Sequence, residues 1–204
     1  MTQSAAGAVT ALALLFAAPL AAQDTVQDSG QDSGQGPGQN NAEIAAMFAA
    51  DQAQRAAEIE DYEAAAKADE QRRVRARALL DPGALTTGAD FFGAAFIFQH
   101  GTEPRDYLLA HILAVRSLGL GFKDAEWIAA ATLDRYLQSI GQPQVYGTQY
   151  RFPEAGGVTM EPYDRALLVD SLRKAAGVGD LALQESKLGE YAKLVAGPAE
   201  APAE

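Results

Sequence analysis

The chain has 204 residues, of which 48% are hydrophobic and 21% charged, and this length suits one domain with a core of its own. Its 16 Lys and Arg against 27 Asp and Glu give a formal net charge of −11, which disfavours binding to nucleic acid. The absence of cysteine excludes disulfides and thiolate chemistry, and the presence of only two histidines excludes a three-histidine zinc site. We therefore expect an acidic domain without a nucleic-acid partner.

The first 22 residues have the layout of a secretory signal peptide. An apolar stretch from Ala8 to Ala18 is followed by Pro19 and by the small residues Ala21 and Ala22, after which we expect cleavage. The apolar run is shorter than the roughly 20 residues that span a bilayer, so we expect no stable membrane insertion after cleavage. This segment predicts an exported protein, periplasmic or secreted in a bacterium. A buried or interfacial N-terminal helix is the alternative.

Polar, low-complexity segments flank the predicted domain. Residues 23–41 read QDTVQDSGQDSGQGPGQNN and predict a disordered linker. Residues 196–204 end in GPAEAPAE and predict a disordered tail. The domain itself is expected at residues 42–195.

Residues 42–80 favour helix, because they contain neither Gly nor Pro and are rich in Ala, Glu, Gln, Lys and Arg. Their apolar stripe is thin, which predicts either a helix packed along one side or a helix bent into two pieces. Asp81, Pro82 and Gly83 are expected to end it.

The segment GADFFGAAFIFQHG predicts a second, central helix. Thr87 is a plausible N-cap, Asp90 lies in the first turn, and Gly101 stands at the C′ position. Because its apolar residues surround the helix on all sides, we expect it to be buried.

Two further helices follow. One runs from Pro104 to Leu118, and the other begins near a cap at Asp124 and continues to Ile140. The first has an apolar stripe made of Tyr107, Leu108, His111, Ile112 and Val115.

The rest of the chain predicts a small β-hairpin and one or two more helices. Residues 145–152 and 158–160 are β-prone and flank a turn at 154–157, and helices are expected from about Asp164 and Leu181. The predicted fold class is therefore mainly α. We expect a single-domain bundle of about five to six helices, with a β-hairpin after the Tyr-Gly-Thr-Gln loop.

Several polar residues fall in places that the pattern marks as apolar. His100 is expected in the last turn of the most hydrophobic helix, His111 lies on a core stripe, and Asp134 shares a helix face with Trp127. A buried carboxylate is costly unless it is paired or hydrogen-bonded. We name His100, His111 and Asp134 as candidate catalytic residues. The candidate ligand-binding residues are Gln99, Arg135, Gln144, Tyr146, Thr148 and Gln149.

These residues have a structural interpretation as well as a functional one. As a functional set they would form a pocket with a His–Asp pair tuned by burial. As a structural set they would be a network in which Asp134 holds a histidine or backbone groups. His100, His111 and either Asp134 or Asp106 would make a two-His, one-carboxylate metal set, but their spacing is not diagnostic and we assign no metal.

Four short motifs succeed one another along the chain. They are Gln-His-Gly at 99–101, Ala-His at 110–111, Asp-Arg at 134–135 and Gln-x-Tyr-Gly-Thr-Gln at 144–149. In this order they resemble a bacterial helical domain family of unknown function. An upstream Asp/Arg element of that family matches either Asp69 with Arg72 or Arg73, or Asp51 with Arg55. The resemblance covers about residues 69–173 and implies a shared fold and a shared polar site, without an activity.

Three functions stay open on the sequence. The first is an exported helical domain that binds a small polar ligand or an envelope component through a His/Asp/Gln/Tyr pocket. The second is a hydrolase-like enzyme in which His100 or His111 acts as a general base oriented by Asp134. The third is a non-catalytic protein-interaction module that uses residues 42–80 as a docking surface. The expected partner is a small polar ligand or an envelope protein, and the sequence identifies no cofactor.

Overall fold

The computed structural model describes residues 38–57, 59–153 and 155–196. Within these ranges the chain forms seven α-helices, one short 3-10 helix at Lys123–Ala125 and no β-strand. The α-helices are α1 (Ala42–Ala56), α2 (Tyr62–Leu80), α3 (Gly88–Phe98), α4 (Pro104–Gly119), α5 (Glu126–Ser139), α6 (Asp170–Ala175) and α7 (Leu181–Ala196). The mainly α class is confirmed, with more helices than the five to six expected. The predicted signal peptide, most of the predicted linker and nearly all of the predicted tail lie outside the described residues.

Residues 42–80 form two helices, which was one of the two alternatives. The Asn41 side chain caps α1 by accepting hydrogen bonds from the N–H groups of Glu43 and Ile44, and Asp61 caps α2 in the same way. The ordered fold thus includes Asn41, which the sequence analysis assigns to the linker. Helix α2 ends at Leu80, directly before the predicted stop.

Helix α3 is central, as its composition predicts. It packs against α1, α2 and α4, and α4 in turn packs against α5. Its start is the predicted one, because Thr87 and Asp90 form a reciprocal capping box. The buried core comprises Ile44, Ala76, Leu79, Leu85, Ala94, Ala95, Ile97, Phe98, Ala110, Leu113, Ala114, Ala125, Ile128 and Ala129.

The buried face of α4 differs from the predicted stripe. Ile112 and Val115 are 53% and 48% exposed, whereas the buried residues are Ala110, Leu113, Ala114 and Ser117. Because α4 packs against both α3 and α5, small side chains occupy the face that touches both neighbours. The predicted stripe is therefore wrong at Ile112 and Val115, whereas Tyr107, Leu108 and His111 are half-buried.

Two predicted helix-end roles are also wrong. Asp124 lies in the 3-10 turn before α5, and the N-cap position of α5 is Ala125, which makes no side-chain cap. Gly101 does not adopt a positive φ. It is needed for a different reason, because a Cβ at this position would overlap the side chain of Asp106.

The segment after α5 folds back on the bundle without forming the predicted pair of strands. One antiparallel bridge joins Arg151 to Thr159, and one parallel bridge joins Gln144 to Tyr163. Among the residues that the structure describes, no helix is long and apolar enough to cross a membrane.

Two buried polar side chains fasten the C-terminal part. Arg173, only 2% exposed, donates hydrogen bonds to the carbonyls of Leu168 and Arg165 and to the Tyr163 hydroxyl. From α7, Gln184 Nε2 donates to the carbonyl of Tyr146 at 2.8 Å, and its Oε1 accepts from the Tyr163 hydroxyl at 2.8 Å. Helix α7 is thereby tied to the loop that follows α5.

Candidate functional site

Asp134 is fully buried and organises the loop after α5. Its Oδ1 accepts hydrogen bonds from the N–H groups of Val145 (2.7 Å) and Tyr146 (2.9 Å). Its Oδ2 accepts from the N–H (2.9 Å) and the hydroxyl (2.8 Å) of Thr148. Burial raises the pKa of Asp134, and these hydrogen bonds oppose the rise. The carboxylate therefore holds the loop, and none of its four bonds goes to a histidine.

Two glutamines close the same loop. Gln144 is buried, with its Oε1 accepting from the Gln149 N–H at 2.9 Å and its Nε2 donating to the carbonyls of Gln149 and Met160. The Gln149 side chain donates to the Ala131 carbonyl at 3.3 Å. Tyr146 takes part through its backbone. Gln144, Tyr146 and Thr148 thus serve the loop itself.

Arg135 points away from Asp134 and reaches the end of α3. Its Nε donates to Gln149 Oε1 at 3.2 Å, and its NH1 donates to the Gln99 carbonyl at 2.8 Å. Its guanidinium also lies 5.9 Å from the centre of the Tyr107 ring. Arg135 therefore links the loop to the turn at residues 99–101, which we call the Gln99–Gly101 turn.

The Gln99–Gly101 turn is held from two more directions. Arg73 on α2 donates to the His100 carbonyl at 2.7 Å, and the Tyr107 hydroxyl on α4 donates to the Gly101 carbonyl at 2.8 Å. All three carbonyls of the turn are thus hydrogen-bonded to side chains from other helices. This fixes the direction in which the His100 ring leaves the turn.

The His100 ring faces α1. Its Nε2 lies 3.5 Å from Oδ2 of Asp51, which is 1% exposed. Burial lowers the pKa of His100, and the charge of Asp51 opposes this change. The structure thus gives His100 a carboxylate neighbour, but that neighbour is Asp51 and not the expected Asp134.

Two arginines and a second carboxylate surround this pair. Arg55 and Arg72 both form ion pairs with Asp69, and their NH2 atoms lie 3.9 and 3.8 Å from Oδ1 of Asp51. Arg72 also donates to Gln54 Oε1 at 2.7 Å. We define Asp51, Arg55, Asp69, Arg72 and His100 as the Asp51–His100 cluster.

The cluster contains buried polar atoms that lack a hydrogen-bond partner among the described residues. They are Oδ1 of Asp51, Nε of Arg55, Nε of Arg72 and Nε2 of His100. Buried polar atoms are almost always hydrogen-bonded, and each unpartnered one costs about 1–3 kcal/mol. Four of the five such atoms found in the described residues therefore belong to one cluster.

His111 lies elsewhere and makes a structural contact. Its Nδ1 is 2.9 Å from the Ala129 carbonyl, and since a carbonyl only accepts, Nδ1 is the donor. This bond joins α4 to α5. Of the predicted site residues, the structure brings together His100, Gln99, Arg135 and Gln149. His111 lies apart from them, on the contact between α4 and α5.

Tyr107 is missing from the site residues predicted from the sequence, and Arg73 is among them only as the alternative to Arg72 in one of the two possible Asp/Arg elements. Both elements contribute, since Asp51 with Arg55 and Asp69 with Arg72 meet in one cluster. Charged residues on helices usually face solvent, so nothing local marks these as buried. The motif resemblance was the one signal that pointed to them.

Among the described residues, no group of three or more His, Asp or Glu side chains could hold a metal ion. A cleft of about 290 Å³ lies at the turn between α1 and α2, with Gln54, Ile59 and Asp61 in its wall. A groove of about 490 Å³ lies on the outer face of α2, beside Val74 and Arg75. The first cleft adjoins the cluster, because Gln54 is hydrogen-bonded to Arg72.

No model of a known protein family matches this chain, and neither a curated protein nor a solved structure matches it.

Proposed function

We propose that the protein is an exported helical domain that binds a small polar ligand at the Asp51–His100 cluster. The observation that carries the proposal is the set of unpartnered buried polar atoms on Asp51, Arg55, Arg72 and His100. Buried polar atoms without hydrogen bonds lower the stability of the folded protein. A ligand with both donors and acceptors would supply the missing hydrogen bonds. Membership of the helical domain family that the motifs resemble is part of the same proposal.

The cluster offers complementary chemistry to such a ligand. Oδ1 of Asp51 can accept a hydrogen bond from a ligand, while the Nε–H groups of Arg55 and Arg72 can donate to one. Asp51 is held in place because its Oδ2 accepts from Gln52 Nε2 at 2.9 Å. The cleft beside Gln54 is the route that we propose for entry. Gln54 would act as its gate, since it is hydrogen-bonded to both Arg72 and the Ala65 carbonyl.

A thermal-shift and calorimetric screen tests the proposal. The panel contains free amino acids, small hydroxy acids, sugars and divalent cations. We expect at least one compound to raise the melting temperature of the wild type and to lose that effect in Asp51→Asn and Arg72→Gln. Arg75→Gln is the matched control, because Arg75 lies on the same helix but forms an exposed ion pair with Glu43. Retention of binding in both cluster variants would contradict the site.

A hydrolase is the second candidate, favoured by the contact between His100 and Asp51. Burial keeps His100 neutral near pH 7 and therefore able to accept a proton. In such an enzyme His100 would act as the general base that activates a water molecule. Turnover of p-nitrophenyl acetate that is lost in His100→Gln but kept in His111→Gln would favour this function over binding alone. Equal loss in both variants would count against it.

The interaction-module alternative has less support. On α1 and α2, the large apolar side chains exposed among the described residues are Tyr62 and Val74. They lie far apart along α2 and do not make a continuous stripe. A docking surface for another protein normally needs a contiguous apolar patch, so we rank this alternative last.

A further inference from the structure

Two arginines converge on the Gln99–Gly101 turn from different helices. Arg73 donates to the carbonyl of His100 and Arg135 donates to the carbonyl of Gln99. Each bond is made by an NH1 atom, and neutral carbonyls are the main partners of both guanidiniums at this turn. Tyr107 is close to both arginines, since the charges of both act on it; its ring lies near Arg135 and its hydroxyl donates to the Gly101 carbonyl.

Neither arginine has a carboxylate partner within the described residues. The other half-buried or buried arginines are each ion-paired with at least one carboxylate; they are Arg55, Arg72, Arg165 and Arg173. The remaining unpaired arginines are exposed and therefore solvated; they are Arg77, Arg105, Arg116 and Arg151. Within the described part of the chain, Arg73 and Arg135 alone combine partial burial with the lack of a carboxylate ion pair. In a chain with a net charge of −11, such a pair is unexpected.

The carboxylates near the turn offset the charges of Arg73 and Arg135 without forming ion pairs with them. In the Asp51–His100 cluster, two arginines balance two aspartates, and His100 is neutral. Asp106 is the carboxylate nearest the turn, where it packs against Gly101. Glu103 and Asp106 both act on Tyr107, yet neither forms an ion pair with Arg73 or Arg135. Because neither carboxylate pairs directly with a guanidinium, the two positive charges are only partly neutralised. A ligand with one negative charge would complete the neutralisation.

We propose that Arg73 and Arg135 bind the carboxylate group of the ligand, and that the rest of the ligand reaches the Asp51–His100 cluster. This inference rests on the proposed function and names its ligand class: a small carboxylic acid that also carries an amino or hydroxyl donor. The guanidinium fork matches a planar carboxylate. A monoanion fits better than phosphate, because Glu103 and Asp106 repel a second negative charge. His100 joins the two halves, with its carbonyl on Arg73 and its ring on Asp51.

The test is an NMR titration of the ¹⁵N-labelled full chain with four probes. Acetate offers the carboxylate alone, acetamide is its neutral counterpart, inorganic phosphate is the competing anion, and glycine adds an amino donor. We expect acetate to shift the amide signals of residues 99–101 in a saturable way, acetamide to leave them unchanged, and glycine to bind more tightly than acetate. Arg73→Gln and Arg135→Lys should each weaken acetate binding by about tenfold or more.

Arg116→Gln is the matched control, since Arg116 also lies over an aromatic ring, that of Phe91, but is exposed and away from the turn. Circular dichroism verifies that each variant is folded, and Arg135→Lys retains the positive charge. Equal shifts from acetate and acetamide, tighter binding of phosphate, or unchanged acetate binding in both variants would overturn the inference. A ligand that depends on Asp51 and Arg72 but not on Arg73 or Arg135 would overturn it while leaving the proposed function intact. Glycine binding that needs Arg73 but is indifferent to Asp51→Asn would support the carboxylate site and overturn the inference that the rest of the ligand reaches the cluster.

Discussion

Nε2 of His100 lies 3.5 Å from Oδ2 of Asp51, so the end of α3 meets the second half of α1 through two titratable side chains. Each is supported by the surrounding structure, since Arg73 holds the His100 carbonyl and Gln52 holds the Asp51 carboxylate. The pair therefore has a fixed geometry. Its protonation state is the property that the neighbouring charges control.

The first prediction concerns the pKa of His100. Burial lowers this pKa below its ordinary value of 6.5, and the negative charge of Asp51 opposes the change. Asp51→Asn should therefore lower the pKa of His100 further. Proton NMR of the two imidazoles measures this directly, with His111→Gln to assign the signals. An unchanged or higher pKa in Asp51→Asn would show that the contact carries no electrostatic coupling.

The same shift predicts a dependence of stability on pH. Between the lowered pKa and 6.5, the unfolded chain binds the proton more readily than the folded chain. The free energy of unfolding should therefore decrease as the pH falls through that window. Urea titrations of the wild type and His100→Gln test this, and the variant should lack that part of the decrease.

Asp134 on α5 should be the carboxylate on which the loop after this helix depends most. Asp134→Asn replaces one carboxylate oxygen with an NH₂ group, which cannot accept a hydrogen bond. Whichever oxygen is replaced, at least one backbone N–H of the loop loses its acceptor. We expect a loss of about 3 kcal/mol in the free energy of unfolding, measured by urea denaturation. Hydrogen exchange at the Thr148 N–H should accelerate. The control is Asp124→Asn, an exposed aspartate without a capping bond, and comparable losses in the two variants would contradict this role.

Protonation of Asp90 should lower the stability of the protein at acid pH. Burial would raise its pKa, but the hydrogen bonds from the N–H groups of Thr86, Thr87 and Asn41 outweigh it, and the pKa lies below the ordinary value of 3.8. The stability that ionised Asp90 supplies is therefore complete above 3.8 and is lost as the pH falls through the lowered pKa. Asp90→Asn should cost about 1–3 kcal/mol at pH 7. The difference from wild type should narrow at about pH 2, whereas exposed Asp81→Asn should show little effect at either pH.

Two glycines should respond oppositely to alanine. A Cβ at Gly101 would overlap the side chain of Asp106, whereas a Cβ at Gly119 meets nothing within 4 Å. Gly101→Ala should destabilise the protein by about 1–3 kcal/mol. Gly119→Ala, in the last turn of α4, should stabilise it by about 0.5 kcal/mol. Thermal unfolding of both variants compares them, and the same sign of change in both would refute the steric argument.

Local chemistry explains which features could be predicted from the sequence. The capping box of Thr87 and Asp90 and the stop after Leu80 depend on residues close together in the chain, and both were predicted. The burial of Asp134 was predicted as well, because its helix face is otherwise apolar. Whether Asp134 would hold a histidine or backbone groups was left open, since this depends on how the loop folds back onto α5.

The parts that could not be predicted depend on contacts between distant segments. The predicted apolar stripe on α4 includes Ile112 and Val115, which are exposed, whereas Ala110 and Ala114 are fully buried. Asp51 and Asp69 look like ordinary surface charges until α1 and α2 are placed beside His100. That Arg73 and Arg135 form no ion pair depends on where the carboxylates lie in the fold, which the order of residues does not reveal.

The hydrogen bonds of Gln184 have a consequence for any shortened version of the chain. Through this one amide, α7 satisfies the Tyr146 carbonyl and the Tyr163 hydroxyl. A fragment that ends at Arg173 would keep every motif of the loop but would bare both groups to solvent. The loop would then lose its contact with α7, while its hydrogen bonds to Asp134 stayed in place. A shortened chain must therefore extend past the last recognisable motif, to at least the first turn of α7, if it is to keep these two hydrogen bonds.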